Sequence, residues 1–138
     1  MRDCRRNRRT FLTGTGAALA GLAVLGAAPA AAQAQPHRIA ISLDKVPQIR
    51  NVGGSVVLKV QDKLLLLIRD SPTDVRALDP ICTHKQCVVK YRPAEHDIKC
   101  PCHGSQYALD GRVRHGPAPR NLGAYAAVLE GDRVIVTL

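Results

Sequence analysis

The chain of 138 residues carries 20 Lys and Arg against 11 Asp and Glu, a formal charge of +9, with 46% hydrophobic residues, 11 Gly, 9 Pro and 5 Cys. That length holds one domain. Only 3% of the residues are aromatic (Phe11, Tyr91, Tyr107 and Tyr125, with no Trp), so a core must come from Val, Ile, Leu and Ala, and the scarcity of base-stacking platforms argues against nucleic acid as a partner.

Residues 1–34 have the three-part layout of an export signal: Arg2, Arg5, Arg6, Arg8 and Arg9, then an uncharged run over residues 11–28, then small residues through Ala34. Asp3 is the one acid in this leader, so 15 basic residues face 10 acidic ones beyond it. The stretch Asn7-Arg8-Arg9-Thr10-Phe11-Leu12 resembles a twin-arginine signal, with Asn7 where Ser or Thr is usual. That resemblance implies the twin-arginine translocase as a partner, a cofactor inserted before export, and a domain on the periplasmic side of a bacterial inner membrane. Cleavage after Ala32 or Ala34 leaves the domain soluble. Retention makes the 18-residue run an anchor, since it approaches the roughly 20 residues that span a bilayer. Cys4 lacks a lipoprotein context and is given no role in the mature domain.

From residue 35 onward the chain reads as short strands. Residues 38–43 alternate small or polar with branched apolar side chains, the period of a half-buried strand. Residues 55–60 and 64–68 are separated by a hairpin-length connection; 74–78, 122–129 and 134–138 complete the set. No stretch keeps a helical period, and turn residues recur at short intervals. The expected class is all-β, a small antiparallel barrel or sandwich. Residues 80–120 do not read as core; they hold the remaining four Cys and are expected to form an irregular, functional loop subdomain.

Two boxes stand out there: Cys82-Thr83-His84-Lys85-Gln86-Cys87 and Cys100-Pro101-Cys102-His103-Gly104-Ser105. Three chemistries compete. Two plain disulfides leave both His unexplained and strain one tight turn. A structural zinc site of two Cys and two His needs an uncommon C-x-H ligand spacing. A 2Fe-2S cluster with two thiolates on one iron and two imidazoles on the other needs one Cys and one nearby His from each box, which C-x-H and C-x-x-H supply, leaving Cys87 and Cys102 over.

The boxes resemble those of Rieske iron-sulfur proteins, specifically the disulfide-bearing type of cytochrome bc-type complexes, and the resemblance runs from about residue 38 to the end of the chain. It implies a Rieske-type β-fold with one 2Fe-2S cluster per chain. By position, Cys82 and Cys100 are then the ligands of one iron and His84 and His103 those of the other, with Cys87 and Cys102 paired in a disulfide. Ser105 and Tyr107 match the family's hydroxyl donors to the cluster sulfurs, and Gly116-Pro117-Ala118-Pro119 matches its proline loop. The implied function is one-electron transfer in a quinol:cytochrome c oxidoreductase, from a quinol-oxidising cytochrome b to a c-type cytochrome, with no catalytic residue of its own. Solvent-facing imidazoles at His84 and His103 would couple proton uptake to electron uptake.

One departure from the family is plain: Lys85-Gln86 stands where quinol-oxidising members usually carry Leu-Gly. Lys85 weakens the case for the usual apolar docking surface, and Gln86 suits a glycine backbone conformation poorly. A free periplasmic carrier, or the small redox subunit of another oxidoreductase, is therefore the alternative. An oxygenase is disfavoured, because no mononuclear iron domain follows in these residues and oxygenase centres normally lack the extra cysteine pair. Arg112, Arg114 and Arg120 flank the proline loop and are candidates for a basic rim, whereas His37, His96 and His115 are expected to be merely solvated.

Overall fold

A computed structural model describes residues 36–138; the leader assigned to residues 1–34 lies outside them. The described chain opens with β1 (Arg38–Ser42), a 3-10 turn (Pro47–Ile49), β2 (Ser55–Val60), β3 (Lys63–Arg69) and β4 (Val75–Leu78). Four short strands follow, β5 (Lys90–Arg92), β6 (Asp97–Lys99), β7 (Gln106–Tyr107) and β8 (Val113–His115), before β9 (Ala124–Glu130) and β10 (Arg133–Thr137). All pairings are antiparallel, in a six-stranded sheet of order β1-β10-β9-β4-β3-β2 and a four-stranded sheet of order β5-β6-β7-β8. The domain is all-β, as expected. Among the described residues no helix is long and apolar enough to cross a membrane.

The run Leu64-Leu65-Leu66-Leu67-Ile68 is apolar on both faces because β3 lies between two cores. Leu65 and Leu67 point into one with Ile41, Ile49, Val134 and Val136. Leu66 and Ile68 point the other way, toward Leu78, Ile98, Tyr107 and Leu122. A period-2 strand that is half-buried twice has no polar face to show.

The expectation that residues 80–120 contribute no core is overturned. Val89, Ile98, Tyr107, Leu109 and Ala118 are buried there, and Cys82 and Cys100 share their cluster. The four strands that carry them are only two or three residues long, too short for an alternation to register as a period. Their inner row, Tyr91, Ile98, Tyr107 and Val113, packs the small sheet toward β3 and β4. The two cysteine boxes thus spring from a rigid, packed base.

Candidate metal centre

Both boxes fold into the same turn. In the first, Cys82 N–H donates to Cys87 O at 2.8 Å and Gln86 N–H to Cys82 O at 2.9 Å. In the second, Cys100 N–H donates to Ser105 O at 2.7 Å and Gly104 N–H to Cys100 O at 3.1 Å. The fifth residue of each turn is left-handed, Gly104 with φ 76° and Gln86 with φ 56°. Glycine adopts this region freely, whereas an L side chain there costs about 1–2 kcal/mol. Gln86→Gly is therefore expected to stabilise the domain. Relief of strain, less about 0.4–1 kcal/mol of added unfolded-chain entropy, leaves about 0.5–1 kcal/mol. A thermal melt reads this as a rise of roughly 2–8 °C, and a lower Tm would show that Gln86 has a compensating contact.

A disulfide joins the boxes: Cys87 and Cys102 are bonded, with their Cα atoms 6.5 Å apart. Cys82 and Cys100 stay free, each 1% exposed. The sulfurs of Cys87, Cys100 and Cys102 all lie within 4.8 Å of one another. Two of those sulfurs are spent on the disulfide, so the grouping marks how closely the bridge sits against Cys100 and is not itself a ligand triad. His84 and His103 face each other edge-on, with ring centroids 5.0 Å apart. His84 is half-buried and His103 exposed, so the imidazoles form the solvent side of the site and the thiols its inner side.

Tyr107 Oη lies 3.2 Å from Cys82 Sγ. Burial pushes the Cys82 thiol up. The Tyr107 hydroxyl, the backbone N–H groups of His84 and Lys85 and the Cys100 thiol outweigh it, holding Cys82 below the ordinary thiol range. Tyr107 moves the opposite way, raised by burial and by its bond to Cys82, and so stays a protonated donor. Ser105 is fully buried, and its Oγ has no hydrogen-bond partner. Such an orphan is costly unless something not supplied by protein accepts from it.

The proline loop covers the second box. Gly116 has φ 96°, and a Cβ there would sit 2.7 Å from Ser105 Cα and 3.1 Å from Ser105 N. Ala118 turns inward into the core, with Pro117 and Pro119 on the surface. Two tethers hold the loop: Thr83 Oγ1 donates to Arg120 O at 2.7 Å, and Val113 N–H donates to Asn121 Oδ1 at 3.0 Å. Sequence reasoning missed Asn121, although an Asn just past a Gly-Pro-x-Pro turn is a loop-closing signal. Of the proposed basic rim, Arg112 is taken up by Asp110 at 2.7 Å, while Arg114 and Arg120 stay exposed. His96 is not simply solvated, since its Nε2 lies 3.4 Å from Asp70, and His37 Nε2 lies 2.8 Å from Gln61 Nε2. His115 is exposed.

The donor set bears on the candidate groups. Two buried thiols and two outward imidazoles, one of each from either loop, suit a cluster with Cys ligation on one iron and His ligation on the other. A single zinc with four protein ligands would offer Ser105 Oγ no acceptor, whereas an inorganic sulfide would.

The comparisons agree with this geometry. The model of the Rieske 2Fe-2S domain matches residues 40–126. A cytochrome b6-f complex iron-sulfur subunit from Synechococcus sp. (strain JA-3-3Ab) is 44% identical over 73 residues, 53% of this chain and 42% of that protein. Iron-sulfur subunit 1 of the same complex from Nostoc sp. (strain PCC 7120) is 36% identical over 101 residues, 70% of this chain and 56% of that one. The chain thus spans about half the length of the curated relatives it matches. Among solved structures, the plasma membrane Rieske protein PetC3 from Synechocystis PCC 6803 superposes with a TM-score of 0.59 at 25% identity, covering 72% of this chain and 99% of that one. A chain of a hyperthermophilic respiratory Complex III does so with a TM-score of 0.53 at 31% identity, covering 69% and 71%. With its paired thiol-imidazole loops, the bridge between them and a family match over most of the domain, this chain belongs to the Rieske 2Fe-2S domain family.

Proposed function

We propose that this domain carries single electrons through a Rieske 2Fe-2S cluster as the iron-sulfur subunit of a quinol:cytochrome c oxidoreductase. It takes them from quinol at a cytochrome b-type partner and hands them to a c-type cytochrome. The observation that carries the reading is the buried, unpartnered Ser105 hydroxyl, set beside two buried thiols and the Tyr107 donor. The likeness to cytochrome b6-f subunits and to a Complex III chain supports the choice of complex. When bound, the cluster supplies a one-electron couple above the potential of thiolate-only ferredoxins. Cys82 and Cys100, both buried, would hold one iron, and His84 and His103, on the solvent side of the site, would hold the other. Ser105 and Tyr107 would donate to sulfur of the bound cluster and favour its state with more negative charge. The domain works on the periplasmic side of a bacterial inner membrane, delivered by the twin-arginine translocase.

A second reading, a free periplasmic carrier or the small subunit of another oxidoreductase, is favoured by Lys85, which is exposed between His84 and Gln86 where an apolar docking residue would be expected. Reconstitution with a purified cytochrome b-type complex distinguishes the two.

The primary test is EPR of the dithionite-reduced protein with iron and acid-labile sulfide analysis. The reading requires a reduced-state signal with average g below the free-electron value; zinc in place of iron and a silent spectrum would refute it. A finer test is the midpoint potential. Ser105→Ala and Tyr107→Phe are each expected to lower it by about 50–100 mV. That is the one-electron equivalent of losing part of a hydrogen bond worth about 1.5–3 kcal/mol to a charged acceptor. Ser105→Ala should leave the metal-free protein at least as stable as the parent, because its buried hydroxyl bonds to no protein group.

A further inference from the structure

We infer that the outer face of the small sheet, next to the imidazole edge, is a docking surface for the acidic face of a redox protein. The inference rests on the electron-carrier reading above and adds the charge of the partner. The register of the sheet aligns Lys90 with Lys99, Lys99 with Gln106 and Gln106 with His115. Register partners share a face, and the neighbouring row of Tyr91, Ile98 and Tyr107 faces the core, so this row faces outward. It also borders the site directly: Lys99 precedes Cys100, Gln106 follows Ser105, and His115 precedes Gly116.

Between residues 80 and 122 there are seven Lys and Arg against three acids, Glu95, Asp97 and Asp110. All three acids are engaged by Arg92 or Arg112. Lys85, Lys90, Lys99, Arg114 and Arg120 take part in no ion pair among the described residues. The β5–β6 ladder holds a direct internal contrast. Its far pair, Arg92 and Asp97, is of opposite charge and joined by two hydrogen bonds of 2.8 and 2.5 Å. Its near pair, Lys90 and Lys99, places like charges opposite each other, which a sheet disfavours. Stability alone would choose an acid at one of these positions. A repulsive pair whose Lys99 adjoins Cys100 in the chain is relieved when an anionic surface settles on it, and a cationic field there steers such a partner toward the site.

The test uses the cluster-loaded protein with two soluble c-type cytochromes of matched potential, one strongly acidic and one strongly basic. Binding to each is titrated with both proteins oxidised, and electron transfer is followed by stopped flow. The expected result is tight binding and fast transfer to the acidic cytochrome, both weakening as salt rises. The Lys90→Gln/Lys99→Gln variant is expected to slow that transfer about tenfold at low salt and to flatten the salt dependence, with any shift in midpoint potential measured alongside and corrected for. Unchanged rates in the variant, or preference for the basic cytochrome, overturns the inference. Co-sedimentation with phosphatidylglycerol vesicles supplies a third arm. Loss of vesicle binding in the variant with cytochrome binding unaltered would make the face lipid-directed and overturn it too. Transfer to neither cytochrome would defeat the electron-carrier reading, while the titration with oxidised proteins still decides the charge of the partner.

Discussion

Replacing Cys87 and Cys102 by serine is expected to cost about 3 kcal/mol, the loop-entropy value for a closure of about 15 residues. For a domain of about 100 residues this is a fall in Tm of roughly 12–24 °C. The bridge spans 15 residues and joins two turns that are otherwise held by their own backbone hydrogen bonds and by packing at their bases. Without it each turn keeps its internal shape but loses its position against the other, and the thiols and imidazoles must converge from both. The variant should therefore release iron faster on dilution into chelator, a readout that overall destabilisation in urea at matched stability would not reproduce. Cys102 is exposed, so reductant alone should give the same melting shift in the parent protein. A Tm within about 2 °C of the parent would show that β5–β8 packing already holds the loops in place.

Gly116→Ala is expected to destabilise by about 3 kcal/mol, from two independent causes. The backbone at φ 96° is one that L residues rarely adopt, worth about 1–3 kcal/mol. The added methyl would also lie 2.7 Å from Ser105 Cα, and backbone on that side cannot swing away as a flexible side chain could. Overpacking of this kind adds about 1–3 kcal/mol. The relief open to the molecule is to lift the proline loop off the second box, which uncovers Ser105. Denaturant unfolding measures the first effect, and the potential of the loaded protein measures the second. Stability within 1 kcal/mol of the parent would mean the loop has slack the close approach does not suggest.

The large sheet was legible in sequence because β1, β2, β3, β9 and β10 are long enough for alternation or a continuous apolar run to stand out. The centre was legible for another reason. Cys and His are chemically restricted residues, and two thiols and an imidazole within six positions, twice over, admit few coordination chemistries. The hydroxyls of Ser105 and Tyr107 came through likeness to a family, and the structure leaves the first without a partner and sets the second 3.2 Å from Cys82 Sγ. Residues 80–120 were misjudged as coreless because a two-residue strand such as β7 carries no period. The direction of Tyr107, buried at the heart of the second core, depends on partners nine and more positions away in sequence.

By itself, then, the order of residues determined the class of fold and nominated the thiols and imidazoles proposed as cluster ligands, since those depend on local period and on side-chain chemistry. Only the tertiary structure decided that Gly116 touches Ser105, that Gln86 is left-handed, that Arg112 is neutralised and that Lys90 opposes Lys99. The first and the last of these are relations between loops or across strands. Register and close approach are set by how the two cores pack, and packing energy is summed over many residues with no mark on any one of them.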